Sequence, residues 1–406
     1  MSDASAARES YDCVVVGGGP TGATVAHELA EAGHKIMLLD KSGRIKPCGG
    51  AVPPRLLKDF NIPRSLLVAE VKAACIVSPS ARRVDMPIDG TGYVGMVDRE
   101  EFDEWLRVRA AASGAVRLSG TFQTLSRDAS GMSVVTFAAK DGTKVSASAR
   151  CVVGADGALS AVARQALPDV RTKFVFAYHE IVRAPEKADN VAAALFDGKR
   201  CDVYYDARLS PDFYGWIFPH GETVSVGTGS ANKGFSLKAA VRELRTASGL
   251  TGVETIRREG APIPLKPLKR WDNRRDVIVA GDAASVVAPA SGEGIYYAMY
   301  SGRLVADAVA QFLKTGDARA LATARKRFMT AHRTVFWVLG VMQHFWYRND
   351  KRRERFVSMC ADKDVQSLTW QSYMHKELVR TKPIAHVKIF IKDLAHLAGI
   401  VPTHRS

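Results

Sequence analysis

Three glycines near the start of the chain have the spacing of a backbone turn that binds phosphate. Gly17, Gly19 and Gly22 follow the apolar run YDCVVV and open a stretch of helical periodicity. In such a turn Gly17 allows the tight bend, Gly19 lets the backbone approach a pyrophosphate, and Gly22 lets the helix pack closely. The first helical turn, with Pro20 and Thr21, brings a positive dipole end to the phosphate. The spacing predicts a dinucleotide site; the alternative is a glycine turn in an unrelated α/β protein.

An acidic residue completes this motif. Asp40 closes the second apolar run, KIMLLD, about 20 residues beyond the glycines, where a carboxylate would accept hydrogen bonds from a ribose hydroxyl. Lys41 follows it, and we assign it to the same cofactor site. The same β-α-β unit would suit NAD as well, so the choice of FAD depends on other segments.

Three later segments resemble the FAD-dependent reductases and aromatic hydroxylases. They are VDREEFDEWL, GADGALSAVAR around Asp156, and GDAASVVAPASGEGI. The resemblance implies that Asp282 contacts the ribityl chain of FAD and that the loop after it approaches the isoalloxazine ring. The cofactor-binding residues expected in these segments are Arg99, Gly281, Asp282, Pro289, Gly292, Gly294 and Ile295. For Asp156 a role in a turn alone is an equal alternative, because Asp-Gly is a common turn pair.

Two further segments resemble the geranylgeranyl reductase family. One is the loop KPCGG, in which Cys48, Gly49 and Gly50 are expected to lie near the flavin; the other is PDFYGWIFP, residues 211–219. For the second segment the alternative is that its aromatic side chains only face a core. The resemblance extends over residues 11–402, through AYHEI, RREGAPIPL, SGEGIYYAM and RRERFVS, and is closest to family members of bacteriochlorophyll biosynthesis.

This resemblance implies a reaction. The family reduces three of the four double bonds of a geranylgeranyl chain to give phytyl. The chain is carried on geranylgeranyl-bacteriochlorophyll or -chlorophyll, or on free geranylgeranyl diphosphate; FAD is bound and NADPH is the electron donor. Because the sequence has one glycine fingerprint, NADPH is expected to bind transiently. Two other functions stay open: an aromatic hydroxylase that uses FAD and NADPH, and a flavin-free prenyl-binding escort protein.

Reduction of an isolated double bond also requires a proton donor, because such an alkene is not electrophilic. Cys48 and Tyr214 are the catalytic candidates. The alternative for Cys48 is a small residue buried in a tight loop, and the alternative for Tyr214 is a side chain that lines an apolar channel. His179 is expected at the substrate, with a hydrogen-bonded interior histidine as the alternative. Trp216 and Phe218 fit walls for a C20 chain, whose binding comes from buried hydrocarbon at about 0.8 kcal/mol per CH2.

Composition narrows the partners and the compartment. The chain has 406 residues and a formal charge of +15, which favours an anionic partner. No zinc-finger or RNA-binding pattern accompanies the basic residues, so nucleic acid is not expected. The six cysteines form no CxxC pair, which argues against a metal site or a disulfide framework. The first ten residues lack the apolar region of a secretory signal, so we expect a cytoplasmic protein.

Two segments near the C-terminus bear on membrane association. Residues 334–347 (TVFWVLGVMQHFWY) are apolar but fall short of the roughly 20 residues that span a bilayer. Residues 378–402 mix basic and aliphatic side chains at helical spacing, which is typical of an interfacial segment. Peripheral contact with a photosynthetic membrane is therefore one hypothesis, and a helix packed on the protein body is the other.

The elements that position these residues predict an α/β fold with added antiparallel β structure. A Rossmann-like FAD-binding domain of the glutathione-reductase and aromatic-hydroxylase type is expected at 1–170 and 270–316. Alternating segments such as CDVYYDA, YGWIFP and TVSVGTG predict an antiparallel substrate domain at 171–269. Residues 317–406 are predicted to be helical, and a further helix is predicted over 97–112.

Overall fold

The computed structural model describes residues 9–41, 45–90, 92–185 and 196–376. The strands in chain order are β1 Ser10–Val16, β2 Ile36–Asp40, β3 Ala51–Val52, β4 Leu67–Val71, β5 Ala73–Val77, β6 Arg83–Pro87, β7 Val94–Val97, β8 Val116–Arg127, β9 Ser133–Ala139, β10 Lys144–Gly154, β11 Phe174–Arg183, β12 Arg200–Tyr204, β13 Gly215–His220, β14 Thr223–Ser230, β15 Thr255–Pro264 and β16 Val277–Val279. The helices are α1 Pro20–Glu31, α2 Pro54–Asp59, α3 Arg99–Ala112, α4 Ala161–Ala166, α5 Leu237–Ala247, α6 Ile295–Thr315, α7 Ala322–Trp346, α8 Asp350–Met359 and α9 Lys363–His375.

The described residues divide into two compact units, each built from three stretches of chain. The nucleotide unit comprises those within Met1–Lys46, Arg99–Phe174 and Pro262–Arg333. The sheet unit comprises those within Pro47–Asp98, Val175–Ala261 and Thr334–Ser406.

The nucleotide unit is organised around a parallel sheet. Its parallel strands lie side by side in the order β8-β2-β1-β10-β16. β9 pairs antiparallel with the C-terminal half of β8 and with the N-terminal half of β10. The apolar runs of β1 and β2 are buried on both faces, as parallel strands covered by helices require. Among the helices, α1 packs against α3 and α6. This arrangement places the β1–α1 turn at the carboxyl ends of the strands, where open α/β sheets bind ligands.

The main sheet of the sheet unit has seven strands in the order β15-β11-β14-β13-β12-β5-β6. Side chains alternate between the two faces of each strand. One face, which includes Ile217 of β13 and Val226 of β14, packs against Val241 and Leu244 of α5. Trp216 therefore belongs to the opposite face of β13. A small sheet of β3, β7 and β4 completes the strands of this unit.

The predicted fold class is confirmed, but the structure divides the chain differently from the predicted domains. Residues 47–98 belong to the sheet unit because β5 pairs in parallel with β12 and thereby joins the antiparallel strands. The described residues 334–376 are grouped with that unit as well. The predicted helix begins at Arg99 and not at Val97, because Val97 is a buried residue of β7. Within the described ranges, no helix is long and apolar enough to cross a membrane.

Candidate functional site

The turn between β1 and α1 is built around its glycines. Gly17 has φ +105°, and a Cβ atom there would lie 2.4 Å from the carbonyl oxygen of Ala155. A Cβ on Gly22 would lie 1.8 Å from the Gly17 oxygen, so neither position has room for a side chain. Gly19 is different: no atom lies within 4 Å of where its Cβ would be. The turn is therefore tightly packed behind Gly17 and Gly22 and open in front of Gly19.

The open side of this turn has the polarity that a pyrophosphate needs. Gly19 is the N-cap of α1, no side chain caps the helix, and no acidic residue lies in its first turn. Asp40 ends β2, and its Oδ1 accepts a hydrogen bond of 3.0 Å from the backbone N–H of Gly18. Arg107 lies 3.5 Å from Asp40 Oδ2 and donates to the Gly18 carbonyl. Lys41 is exposed beyond the strand. These residues fit the adenosine and phosphate groups of FAD.

The Gly281–Asp282 turn lies against the first turn of α1. Gly281 has φ +63°, and a Cβ there would be 2.0 Å from Thr21 Oγ1. Its N–H donates to Ser301 Oγ at 3.0 Å, which ties the turn to α6. Asp282 is largely buried and forms an ion pair with Lys46. The structure thus brings together the two cofactor segments predicted from the sequence. It also pairs Asp282 with Lys46 of the KPCGG loop and adds Ser301, neither of which was predicted at this site.

The loop after Asp282 leads into the N-terminus of α6. Gly292 has φ +65° and donates its N–H to the Ala288 carbonyl at 3.0 Å. Pro289 lies inside this turn. Gly294 is the N-cap of the 21-residue helix that begins at Ile295, and again no side chain caps it. A second uncapped helix N-terminus is therefore present in the nucleotide unit, suited to a group that gains negative charge on reduction.

Arg99 and Asp156 have partners that explain them without a cofactor. The buried guanidinium of Arg99 donates to Asp103, one turn further along α3, over 2.8 and 2.6 Å. The carboxylate of Asp156 accepts from the backbone N–H of Ala161 at 2.6 Å and from the hydroxyl of Ser160, at the start of α4. This geometry matches the turn alternative for Asp156. Cofactor contact by Arg99 stays a prediction.

The aromatic motif forms a row on one face of β13 in the sheet unit. Tyr214 and Trp216 are 8% and 6% exposed, with ring centroids 6.0 Å apart. The Trp216 and Phe218 centroids are 6.3 Å apart. Phe213 stacks on Tyr214 with a centroid distance of 4.2 Å. Since the opposite face of the strand packs on α5, this row supplies a separate apolar surface.

The cysteine-glycine loop lies directly against this row. A Cβ on Gly49 would be 3.1 Å from the Phe218 ring, and one on Gly50 would be 2.5 Å from His220 Nε2. Cys48 is partly buried, and its Sγ accepts from the Gly50 N–H at 3.4 Å. The structure therefore brings the two segments that resemble the geranylgeranyl reductases into contact.

His220, which the sequence analysis missed, is the last residue of β13. Its Nδ1 lies 3.1 Å from the Phe218 carbonyl oxygen. Burial lowers the pKa of His220 to about 4, and the Phe218 carbonyl and Asp98 offset only part of this effect. The imidazole is therefore neutral near pH 7, where it packs beneath the Gly50 backbone. The sequence could have indicated this residue, because His220 comes two residues after Phe218 and therefore lies on the same face of the strand.

His179 lies in the interior of the sheet unit, 3% exposed. Its Nδ1 is 2.9 Å from Ser225 Oγ, and its Nε2 is 3.0 Å from Glu259 Oε2. Trp216 Nε1 donates to the same Ser225 hydroxyl at 3.1 Å. One ring nitrogen is thus hydrogen-bonded and the other lies within ion-pair distance of a carboxylate, which fits the interior-histidine alternative. His179 and Trp216 were predicted from the sequence, but Ser225, which contacts both, was not.

Arg353 of α8 holds the start of the aromatic motif in place. It is 1% exposed, and its Nη2 donates to the carbonyl oxygens of Ser210, Pro211 and Tyr347 at 3.1, 2.6 and 2.6 Å. Arg353 belongs to the RRERFVS stretch that was noted in the sequence, but the sequence alone does not show what this arginine contacts.

The basic, aliphatic segment at 378–402 lies outside the described residues, so its predicted membrane contact stays a prediction.

The chain is similar over nearly its whole length to known proteins. The lycopene cyclase protein family matches residues 12–384. A geranylgeranyl diphosphate reductase of Rhodobacter capsulatus is 55% identical over 97% of this chain and 98% of its own length. A chloroplastic geranylgeranyl diphosphate reductase of Oryza sativa is 35% identical over 96% of this chain and 87% of its own. A solved structure of a geranylgeranyl bacteriochlorophyll reductase-like protein from Thermoplasma acidophilum, 22% identical, has the same fold, with a TM-score of 0.78 over 93% of this chain and 99% of that one.

Proposed function

Because the chain belongs to the geranylgeranyl reductase family, we propose that it is a flavin-dependent reductase that hydrogenates three isolated double bonds of a geranylgeranyl chain to give phytyl. The observation that carries this proposal is the contact between the Cys48 loop and the aromatic row, with Gly49 placed against the Phe218 ring. The prenyl group belongs on geranylgeranyl-bacteriochlorophyll or -chlorophyll, and free geranylgeranyl diphosphate is the second substrate.

The nucleotide unit supplies the cofactor contacts in this proposal. The N-terminus of α1 beside Gly19 would hold the pyrophosphate of FAD, and Asp40 would bind the ribose of its adenosine group. Asp282 would bind the ribityl chain, and the N-terminus of α6 at Gly294 would face the electron-accepting edge of the ring. When bound, FAD reduced by NADPH supplies the hydride that the reaction requires.

The sheet unit supplies the prenyl site and the proton. Tyr214, Trp216 and Phe218 present aromatic surface, and each buried CH2 of the chain contributes about 0.8 kcal/mol to binding. Cys48 and Tyr214 are the candidate donors of the proton to the alkene carbon. The Gly49 backbone lies close to Phe218, and a Cβ at position 49 would be 3.1 Å from the ring, so a side chain there would require Phe218 to shift.

The same proposal includes the donor and the place of the reaction. NADPH is the electron donor and binds transiently, in agreement with the single glycine fingerprint. The protein works in the cytoplasm and reaches the pigment as a peripheral partner of the photosynthetic membrane, supported by the net charge of +15.

The test is to incubate purified FAD-loaded protein anaerobically with NADPH and either substrate, and to follow product mass. The proposal expects three successive gains of two hydrogens. In a parallel incubation in air, a product that gains an oxygen atom would instead identify a hydroxylase. A purified protein that neither retains FAD nor binds it would refute the flavin-dependent function and favour a prenyl-binding role.

A further inference from the structure

We infer that Ser225, His179 and Glu259 are positioning residues that fix the orientation of the Trp216 indole in the wall of the prenyl site. The inference rests on the proposed function, because it assigns Trp216 to that wall. It adds residues from three strands, β14, β11 and β15, to the site.

The strand register explains how these side chains meet. Trp216 on β13 lies opposite Gly227 on β14, and Gly227 lies opposite His179 on β11. A Cβ on Gly227 would be 2.3 Å from the Trp216 ring and 2.6 Å from His179 Cβ. Glycine at this position thus lets the indole and the imidazole lie over the middle strand, with ring centroids 6.3 Å apart. Ser225, two residues earlier on the same face, lies within reach of both rings.

The hydrogen-bond chemistry of these groups gives the chain a direction. An indole N–H can only donate, so Ser225 Oγ accepts from Trp216 over 3.1 Å. The serine hydrogen is then available to His179 Nδ1 at 2.9 Å. In the neutral imidazole this leaves the ring hydrogen on Nε2, which faces Glu259 Oε2 at 3.0 Å. The indole N–H therefore meets an acceptor in Ser225, the serine hydrogen meets one in His179, and the imidazole Nε2 lies within ion-pair distance of the carboxylate.

Glu259 anchors the far end of the chain as a carboxylate. Burial alone would raise its pKa, but the contacts with His179 and Arg257 lower it below the ordinary value. Arg257 Nε lies 2.7 Å from Glu259 Oε1, so the second carboxylate oxygen is also occupied. Ser225 is fully buried, and the side chain of Glu259 is 11% exposed. Polar groups in such surroundings hold their partners firmly, because a broken bond leaves a buried group unsatisfied.

This anchoring has a consequence for the aromatic row. The χ2 angle of tryptophan is broad, so apolar packing alone leaves the indole more than one orientation. A bond from Nε1 to Ser225 selects one of them and fixes the edge that the indole presents beside Tyr214 and Phe218. A prenyl chain that is reduced at several double bonds must bind in more than one register. A fixed wall keeps each register defined.

A double-mutant cycle tests the inference. In the wild-type background, Ser225→Ala is expected to lower kcat/KM for the prenyl substrate about fivefold, mainly through KM, because the indole N–H loses its buried acceptor. In the Trp216→Phe background the same change is expected to cost less than twofold, because phenylalanine has no N–H to anchor. An equal loss in both backgrounds would overturn the inference, since Ser225 would then act without Trp216.

A matched control separates positioning from general loss of stability. Ser248→Ala also removes a buried hydroxyl from the sheet unit, one that bonds to the Leu244 and Arg245 carbonyls. It is expected to lower the melting temperature about as much as Ser225→Ala while leaving KM unchanged. A rise in KM equal to that of Ser225→Ala would contradict the assigned role.

A spectroscopic readout makes the inference independent of activity. In protein labelled with 15N-tryptophan, the Trp216 indole N–H signal is identified by its loss in Trp216→Phe. The signal is expected to move in Ser225→Ala and in Glu259→Gln, and to stay in place in Ser248→Ala. An unmoved signal in Ser225→Ala would refute the contact. If wild-type protein fails to reduce prenyl substrates while the signal moves as expected, the proposed function fails and the positioning network stands.

Discussion

The contrast between Gly19 and Gly22 gives a quantitative test of the cofactor site. At Gly19 an added methyl group meets no atom within 4 Å, and φ is −72°, which alanine adopts without strain. We expect Gly19→Ala to change the free energy of unfolding of the apoprotein by no more than about 0.5 kcal/mol, because reduced freedom of the unfolded chain offsets a slightly poorer N-cap. The methyl group would occupy the open side of the turn, so FAD should bind at least tenfold more weakly, about 1.4 kcal/mol.

Gly22→Ala should behave in the opposite way. Its methyl group would lie 1.8 Å from the Gly17 oxygen, and that neighbour is backbone that cannot rotate away. We expect a loss of about 2–3 kcal/mol in apoprotein stability, the usual cost of forcing extra atoms into a packed region. Gly252→Ala is the matched control, because position 252 also has no atom within 4 Å but lies in the sheet unit.

The measurements are the melting temperature of each apoprotein and the FAD dissociation constant from quenching of flavin fluorescence. Gly252→Ala should leave both unchanged. Wild-type FAD affinity in Gly19→Ala would refute the reasoning, because the cofactor would then not approach the turn at its open side. An unchanged melting temperature in Gly22→Ala would show that the turn is looser than its contacts indicate.

Three further changes test other parts of the structure. Arg353→Ala should lower the free energy of unfolding by about 2–4 kcal/mol in urea titrations, since two buried carbonyl groups and one partly buried carbonyl group lose their donor; an unchanged midpoint would contradict this. Asp156→Ala should cost about 1 kcal/mol, because the Ala161 N–H at the start of α4 loses its acceptor, and should leave FAD affinity unchanged; a large loss of FAD affinity would assign Asp156 to the cofactor. The pKa of His220 is lowered to about 4, so the folded protein binds fewer protons than the unfolded chain between about pH 4 and 6.5 and should lose about 3 kcal/mol of stability as pH falls through that window. His220→Gln should flatten this dependence in urea titrations, and an equally steep dependence would refute the assignment.

The nucleotide site was predictable because most of its determinants are local. The β1–α1 turn, its glycines and Asp40 lie within one β-α-β unit, and each has a type and spacing with a direct mechanical reason. Even so, the partner that makes Gly17 necessary is Ala155, which directly follows β10. Sequence shows that a glycine is needed there but not which backbone it meets.

The division into units was not predictable in the same way. β5 joins the second sheet by pairing Cys75 with Asp202, far along the chain, and no local pattern encodes that partner. Alternation in β13 correctly predicts that Trp216 and Phe218 share a face. It does not give the register that places Gly227 and Ser225 beside them, so the anchor of the indole appears only in the folded sheet.

The most direct test of the central claim is the mass of the product formed from a geranylgeranyl substrate by the FAD-loaded protein under anaerobic conditions with NADPH. The account predicts successive products two, four and six hydrogens heavier, ending at the phytyl chain. An unchanged substrate mass, with the cofactor demonstrably bound and reduced, would contradict it.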